Sequence, residues 1–387
     1  MVKNSMNHHQ LKMSLFAFSI AFMLHLLLFS TAPLSTIIMK EMNLSHAGFA
    51  FIFGIAMISL VASRIPWGLI GDHIGFRNAF RIALPISAIA AVIRPFTKSY
   101  ASLLLTQLAL GFGLSSVLPI LPILVKKSFQ KNATGFATGI YIAGFAAGNA
   151  TAIAFTPSLL NYISWRTILF IYALMPVLVS VFWWLLIPET HLKTETIQFA
   201  QFKTILKDRS LWVLLMLVIA CMGGYDTLAT WIPKVIEMKN LNPSLATFLP
   251  LGFFFSGPII GFVSDRLKKR NSLLTLMGLA TLLSTLGINT SHHALFNLCL
   301  FLAGFCLNSV LTISLAIPAE LERYASSVGG VVGVISSLGN IGPLALPVVF
   351  GSLIDLTGTY RVSIIFISLF SGLIISLCSR SKYFKIL

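Results

Sequence analysis

Long apolar runs without charge recur from one end of the chain to the other, and they constrain the fold more than any other feature. A helix needs about 20 apolar residues to cross a bilayer, and a run of this length follows nearly every charged or turn-forming cluster. Only 10% of the residues are charged, whereas soluble domains carry about 25%. We therefore expect an all-helical integral membrane protein, which excludes a soluble enzyme and a nucleic-acid-binding module.

The apolar runs predict twelve membrane spans arranged in two halves. The predicted spans are 13–38, 46–71, 79–96, 101–125, 134–157, 167–187, 211–233, 244–264, 272–289, 294–317, 327–350 and 362–379. The longest polar stretch between two spans is 188–210. We therefore expect an N-terminal six-helix bundle at 1–187, a cytoplasmic linker at 188–210 and a C-terminal six-helix bundle at 211–387.

The charge bias predicts the orientation of these spans. The chain has 27 Lys and Arg residues against 11 Asp and Glu residues, and most of the basic residues fall on the side that holds the N-terminus. The positive-inside rule then places both termini in the cytoplasm, in a bacterial inner membrane. Arg64 is the only basic residue left inside a span, while Arg94 is counted with the outer loops.

The two halves repeat each other. Residues of the loop after span 2 and of span 5 recur in the same order in the second half. The matched pairs are Gly68 and Gly261, Asp72 and Asp265, Arg77 and Arg270, and Asn149 and Asn340. Internal repeats of this kind are frequent in transporters, where the substrate site lies near the bilayer midplane.

Three ionisable residues lie inside predicted spans, where a charge is costly and tends to mark a substrate or ion pathway. Arg64 has the guanidinium fork that suits an oxyanion, but it could also clamp carbonyl groups of a neighbouring helix. His25 could carry a proton or serve as a neutral hydrogen-bonding residue. Asp226 could bind a solute or proton beside a helix loosened by Gly223-Gly224, or pair with a hydroxyl or Lys234.

Neutral polar residues add to this set. They are Gln107, Tyr141, Asn149, Asn308 and Asn340, on predicted spans 4, 5, 10 and 11. Each alone is typical of contacts between membrane helices, but together they favour a polar central cavity for a small-molecule solute. We find no metal-ligand cluster, phosphate-binding loop or catalytic triad in the sequence, so neither an enzyme nor a cofactor is expected.

The loop after span 2 resembles the signature of the major facilitator superfamily. It reads Gly68-Leu69-Ile70-Gly71-Asp72-His73-Ile74-Gly75-Phe76-Arg77, and a weaker copy runs from Gly261 to Arg270. The resemblance implies two pseudo-symmetric bundles that work by alternating access. It also implies gating roles for the signature residues, which are Gly68, Asp72, Gly75, Arg77, Asp265 and Arg270.

A narrower resemblance is to the nitrate/nitrite and cyanate porter branches of that superfamily. It rests on Arg64-Ile65-Pro66, on Gly148-Asn149 and on Gly339-Asn340-Ile341-Gly342. Nitrate/nitrite porters pair the span-2 arginine with one in span 8, where this chain has Gly257. Many proton-coupled members carry a span-4 arginine where this chain has Gln107.

These observations predict a monomeric secondary transporter for a small anionic or zwitterionic solute. The coupling ion, proton or sodium, is left open, and symport is the mode implied. The alternative is a proton-coupled exporter of drugs or amphiphilic metabolites. A transporter-like sensor or a membrane-embedded enzyme is the remaining class, and solute uptake into proteoliposomes separates it from a transporter.

If spans 1, 4, 7 and 10 line a central cavity, cysteines introduced near His25 or Asn308 should react with a water-soluble thiol reagent. Cysteines near Phe182 or Ile367, on the lipid-facing spans 6 and 12, should not react. Site-by-site labelling in membranes measures this. The reverse pattern of labelling would show that the predicted cavity lining is wrong.

Overall fold

The structure is a computed structural model that describes residues 8–44, 46–130, 133–188 and 206–381. In this part of the chain every regular element is a helix. The α-helices are α1 (His8–Phe29), α2 (Ser35–Met42), α3 (His46–Ile93), α4 (Tyr100–Leu114), α5 (Val117–Ser128), α6 (Thr134–Leu159), α7 (Trp165–Leu186), α8 (Arg209–Met238), α9 (Phe248–Leu267), α10 (Arg270–Gly287), α11 (His293–Glu320), α12 (Val328–Gly339), α13 (Ile341–Thr357) and α14 (Tyr360–Ser379).

Ten helical stretches of the described residues are long and apolar enough to cross a membrane. One of them, Phe51–Phe96, is 46 residues long and is interrupted at Gly75, where φ is 78° and ψ is 158°. This backbone conformation is open to glycine and closed to most other residues, so α3 holds two successive spans. With this division and the 18-residue helix α10, the structure is consistent with the twelve predicted spans, and the all-helical prediction is confirmed.

Several predicted spans consist of two helices in succession. The first span contains α1 and α2, the fourth contains α4 and α5, and the eleventh contains α12 and α13. The breaks follow local chemistry, since Pro33 and Ser115-Ser116 mark the first two, and Asn340 separates the last pair. Proline removes a helix hydrogen bond, and serine and asparagine side chains compete for backbone groups.

The chain forms two compact units, which differ from simple halves by an exchange of short segments. The first unit comprises Met1–Phe129, Ile140–Gln198 and Ser326–Gly333. The second unit comprises Gln130–Gly139, Phe199–Ala325 and Val334–Leu387. The first turns of α6 therefore belong to the second unit, and the first turns of α12 belong to the first unit.

Glycines bring these exchanged turns into backbone contact inside each unit. A Cβ atom built on Gly68 would lie 2.2 Å from the carbonyl oxygen of Gly329, and one built on Gly261 would lie 2.2 Å from that of Gly135. Membrane helices associate closely through such small residues. The two contacts join repeat-related positions and so follow the internal duplication.

Replacing Gly68 with alanine should lower the thermal stability of the purified protein, because the methyl group would collide with backbone atoms that cannot rotate away. Overpacking of this kind costs about 1–3 kcal/mol. Gly54→Ala is the matched control on the same helix, since nothing lies within 4 Å of its added Cβ. Equal melting temperatures for the two variants would contradict the close approach.

Candidate functional site

The structure divides the eight predicted solute-binding residues between the two units. His25, Arg64, Gln107, Tyr141 and Asn149 lie in the first unit, and Asp226, Asn308 and Asn340 lie in the second. We describe the units one after the other.

Arg64 and His25 come together in the first unit. Arg64 is 5% exposed on α3, and His25 on α1 is close enough to interact with its charge. The His25 ring lies 4.8 Å from the ring of Phe145 and 5.3 Å from that of Phe29. Tyr141, one turn before Phe145 on α6, has its ring 5.9 Å from the Phe145 ring. An imidazole and a phenol therefore lie in one buried aromatic cluster, and the charge of Arg64 is within electrostatic range of the imidazole.

Glycines on α6 make this cluster possible. A Cβ atom on Gly144 would lie 2.5 Å from the carbonyl oxygen of Phe18, and one on Gly148 would lie 2.1 Å from that of Phe22. Both carbonyl groups belong to α1, so α6 packs against α1 backbone to backbone. This close packing lets Phe145 reach the ring of His25.

The backbone around Arg64 is also unusual. Pro66 lies inside α3 and has no N–H to donate to the carbonyl group of Ala62, one turn earlier. Gly333 of α12 faces the Arg64 carbonyl oxygen, which would lie 2.8 Å from a Cβ atom at that glycine. Arg64 therefore sits on a helix segment with a weakened hydrogen-bond ladder and a close helical neighbour.

Several buried polar atoms of the first unit have no hydrogen-bond partner among the described residues. They are Nδ1 of His25, Oε1 of Gln107 and Oδ1 of Asn149. Buried polar groups are nearly always satisfied by protein or water, so these atoms mark positions for water or a polar solute. Gln107 is distant from Arg64, because its Nε2 approaches the Ile52 carbonyl oxygen at 3.5 Å, about 18 Å along α3 at 1.5 Å per residue.

In the second unit, the side-chain amides of both asparagines donate hydrogen bonds to backbone carbonyl groups. Asn308 of α11 donates from Nδ2 to the carbonyl oxygen of Phe253 and to Oγ of Ser256, both at 2.8 Å. Asn340, between α12 and α13, donates to the carbonyl oxygen of Ser336 at 2.5 Å. The bonds of Asn308 match the helix-to-helix role that such residues have in membranes, whereas the bond of Asn340 is local and reaches back to the helix that ends beside it.

Asp226 is partly buried on α8, and its carboxylate forms no hydrogen bond or ion pair within the described residues. Lys234 bonds to Glu237 at 2.8 Å instead, and the Thr230 hydroxyl donates to the backbone oxygen of Asp226 at 2.7 Å. The expectation of a loosened helix at Gly223-Gly224 is wrong, because α8 is continuous from Arg209 to Met238. The glycines serve packing, since a Cβ atom on Gly223 would lie 2.8 Å from Cα of Gly342.

The two signature aspartates make the same contact in the two repeats. Asp72 accepts hydrogen bonds from the backbone N–H groups of Gly329 at 2.8 Å and Gly330 at 2.6 Å. Asp265 accepts from Gly135 at 2.9 Å and Phe136 at 2.8 Å. Each carboxylate binds the N-terminal turn of a helix, where unpaired N–H groups and the helix dipole favour a negative charge.

The signature arginines differ between the repeats. Arg270 is 6% exposed and bonds to Asp265 at 3.0 Å and to Glu320 at the end of α11, which also accepts from the Thr134 hydroxyl. The guanidinium of Arg77 lies 5.5 Å from the ring centre of Phe76 instead. The second unit thus carries an Arg–carboxylate network that sequence reasoning missed, because Glu320 lies at the end of an apolar run.

Sequence reasoning also missed the burial of Arg94, which lies in the turn between α3 and α4. The structure buries it completely, with Nη1 donating to the carbonyl oxygen of Leu27 and Nη2 to Oγ of Ser30, both at 3.0 Å. Its guanidinium caps the end of α1. The signal was present, since Arg94 falls within the predicted span 79–96 and precedes a proline.

The described residues contain no group of three or more His, Cys, Asp or Glu side chains that could hold a metal ion. The features present are successive membrane-crossing helices, an internal repeat and a buried cation inside one unit. They define a multi-pass membrane transport protein for a small-molecule solute.

The comparisons with known proteins agree with this class. The sequence profile of the Major Facilitator Superfamily matches residues 16–314 and, in a second match, residues 244–382. The chain belongs to this superfamily, so the predicted resemblance and the prediction of a transporter rather than an enzyme are confirmed.

Curated relatives place the resemblance within the nitrate/nitrite branch. The chain is 26% identical over 341 residues to a probable nitrate/nitrite antiporter, NarK1, of Thermus thermophilus, covering 78% of this chain and 76% of the relative. It is 23% identical over 376 residues to a nitrite extrusion protein of Bacillus subtilis, covering 93% and 91%. It is 22% identical over 350 residues to a probable nitrate transporter, NarT, of Staphylococcus epidermidis, covering 88% of each.

Solved structures show the same fold. The superfamily transporter FucP in its outward conformation matches with a TM-score of 0.74 and 14% identity, covering 95% of this chain and 97% of FucP. The human organic anion transporter MFSD10 matches with a TM-score of 0.75 and 14% identity, covering 95% and 99%.

Asp72→Asn should weaken the attachment of α12 to α3, because an amide offers one neutral acceptor where the carboxylate offers two charged ones. Hydrogen bonds to charged groups contribute about 1.5–3 kcal/mol. Spin-label distances between α3 and the first turn of α12 should become longer or broader. Asp355→Asn, at an exposed site, is the control, and an unchanged distance in Asp72→Asn would disprove the attachment.

Proposed function

We propose that this protein transports a small monovalent anion across a bacterial inner membrane, with both termini in the cytoplasm, and that Arg64 is its anion-binding group. The observation that carries the proposal is the burial of a guanidinium in the middle of a membrane helix, within electrostatic range of His25. Buried charges in membranes are rare and mark solute pathways.

The chemistry of the cluster supports an oxyanion. A guanidinium presents a planar fork of donors that matches two oxygens of one anion. The aromatic rings of Phe145 and Phe29 pack against His25, and apolar surface of this kind excludes water and strengthens the attraction between a nearby cation and an anion.

The names of the relatives favour nitrite- or nitrate-like solutes, but one difference points to a distinct selectivity. At Gly257, the position that repeats Arg64, a Cβ atom on Gly139 would lie 2.1 Å from the carbonyl oxygen. A tight backbone contact therefore occupies the place of a second arginine. With one guanidinium, the chain fits a monovalent anion such as nitrite, nitrate or a short carboxylate.

Flux in proteoliposomes tests the proposal. Purified protein should take up nitrite or a short carboxylate saturably, and an amphiphilic cation should neither be moved nor compete. Arg64→Ala should reduce the flux at least tenfold, and Arg64→Lys should raise the half-saturating concentration because it keeps the charge and loses the fork. Normal anion flux in Arg64→Ala would remove Arg64 from the site, and transport of the amphiphilic cation alone would favour the alternative exporter.

Coupling is part of the same proposal. His25 and Asp226 are the candidates for carrying a proton with the solute, and the protein is proposed to work as a monomer. Lumenal pH recorded during flux should follow the solute, and His25→Gln or Asp226→Asn should abolish the pH change. Flux that leaves the lumenal pH constant in the wild type would point to sodium coupling or uniport.

A further inference from the structure

We propose that the first unit binds an anionic phospholipid at the membrane surface from which α1 starts. The headgroup would bind to a basic cluster formed by Lys12, Arg77 and Arg81, and one acyl chain would lie in an apolar groove between α3 and α7. This site is separate from the Arg64 cluster and does not depend on the proposed function.

The basic cluster gathers at the end of α7. Lys12 donates from Nζ to the carbonyl oxygen of Leu186 at 2.9 Å, and Arg81 donates from Nη2 to that of Ile187 at 3.0 Å. Arg77 lies one turn before Arg81 on α3. The helix dipole alone explains why two cations, Lys12 and Arg81, lie at the C-terminus of α7. Arg77 adds a third positive charge that the dipole does not explain.

Two tryptophans bond to the backbone of the cluster, and the exposed one indicates that the cluster lies at the depth of the lipid headgroups. Trp183 donates from Nε1 to the carbonyl oxygen of Arg77 at 3.1 Å, and Trp184 donates to that of Arg81 at 3.2 Å. The second bond has a local cause, because Pro85 has no N–H to donate to the Arg81 carbonyl group. Trp184 is 51% exposed, and exposed tryptophans concentrate at membrane–water interfaces.

The helix that carries the arginines also favours an anion. Gly75 interrupts α3, so a new helical segment starts just before Arg77 and Arg81. The N-terminus of a helix is its positive end. The positive charge of the two arginines and the positive end of the helix dipole therefore lie at the same place. A bound phosphate group would be stabilised by both.

The groove starts one turn beyond the cluster and follows the same two helices. It has a volume of about 330 Å³ and an almost wholly apolar lining that includes Pro85, Ala88, Ile89, Val92, Val177 and Val181. From Arg81 to Ile93 at 1.5 Å per residue, α3 rises about 18 Å. This is slightly more than one leaflet of a hydrocarbon core about 30 Å thick, so one acyl chain fits its length.

Charge decides which lipid occupies the site. A zwitterionic lipid would bring an ammonium group to three cations, whereas phosphatidylglycerol brings a net negative charge. Basic pockets between membrane helices recognise anionic headgroups in this way. The occupant is therefore an anionic phospholipid with a full-length acyl chain, and not a free phosphate ion.

Native mass spectrometry and melting temperatures of the purified protein test the headgroup contact. Phosphatidylglycerol should bind and raise the melting temperature of the wild type and of the control Lys127→Gln, an exposed cation elsewhere in the first unit. Lys12→Gln combined with Arg81→Gln should bind it at least tenfold more weakly, and Lys12→Arg combined with Arg81→Lys should retain binding. Equal binding of phosphatidylcholine, or undiminished binding in the Gln variant, would overturn the proposal.

The contact between the acyl chain and the groove is tested in a separate experiment. Ile89→Trp fills the groove without changing charge, and because Ile89 is 60% exposed it should weaken binding of long-chain phosphatidylglycerol while leaving the protein folded. Glycerol phosphate, which has the headgroup chemistry without the chain, should not shift the melting temperature. Tight binding of glycerol phosphate, or full lipid affinity in Ile89→Trp, would show that the groove takes no part.

Discussion

Burial of guanidinium groups away from water is the constraint on which much of this structure depends. Three arginines are almost fully buried, Arg64, Arg94 and Arg270, and removing such a charge from water costs several kcal/mol before any partner is supplied. Arg270 is neutralised by Asp265 and Glu320, which is the usual solution for a structural charge.

The other two arginines have different surroundings. Arg94 donates to a carbonyl group and a hydroxyl group at the end of α1, so it is solvated by neutral groups in a fixed geometry. Arg64 lies within electrostatic range of an imidazole, in a part of α3 that Pro66 weakens. Because Pro66 removes one backbone hydrogen bond there, the helix around Arg64 can adjust to a ligand, and this supports the proposal that Arg64 binds the anion.

The sequence was sufficient to predict the architecture because the membrane imposes it. The lengths of the apolar runs predicted the ends of most spans to within a few residues. The repeat of Asp72 as Asp265 predicted that the two aspartates have equivalent roles. The sequence could not show that each carboxylate binds the first turn of a helix from the other half, since that contact joins residues far apart in the chain. The burial of Arg94 could not be foreseen for a similar reason, because its partners lie at the end of α1.

Residue patterns were weakest where one residue type serves two purposes. Gly223-Gly224 suggested a broken helix, and the structure uses these glycines for close packing. Asn308 and Gln107 were grouped as cavity residues, yet both make hydrogen bonds to the backbone of a neighbouring helix. Glycines occur both in broken helices and in close helix packing, and amide side chains occur both in cavities and in contacts between helices. Only the contacts with a neighbouring helix distinguish these roles.

The most direct test of the central claim is an experimental structure determined with saturating nitrite, nitrate or a short carboxylate that the protein is shown to transport. We expect density for the anion with its oxygens about 2.7–3.2 Å from the guanidinium nitrogens of Arg64, next to His25. An anion bound elsewhere, with the Arg64 guanidinium held only by protein groups, would contradict it.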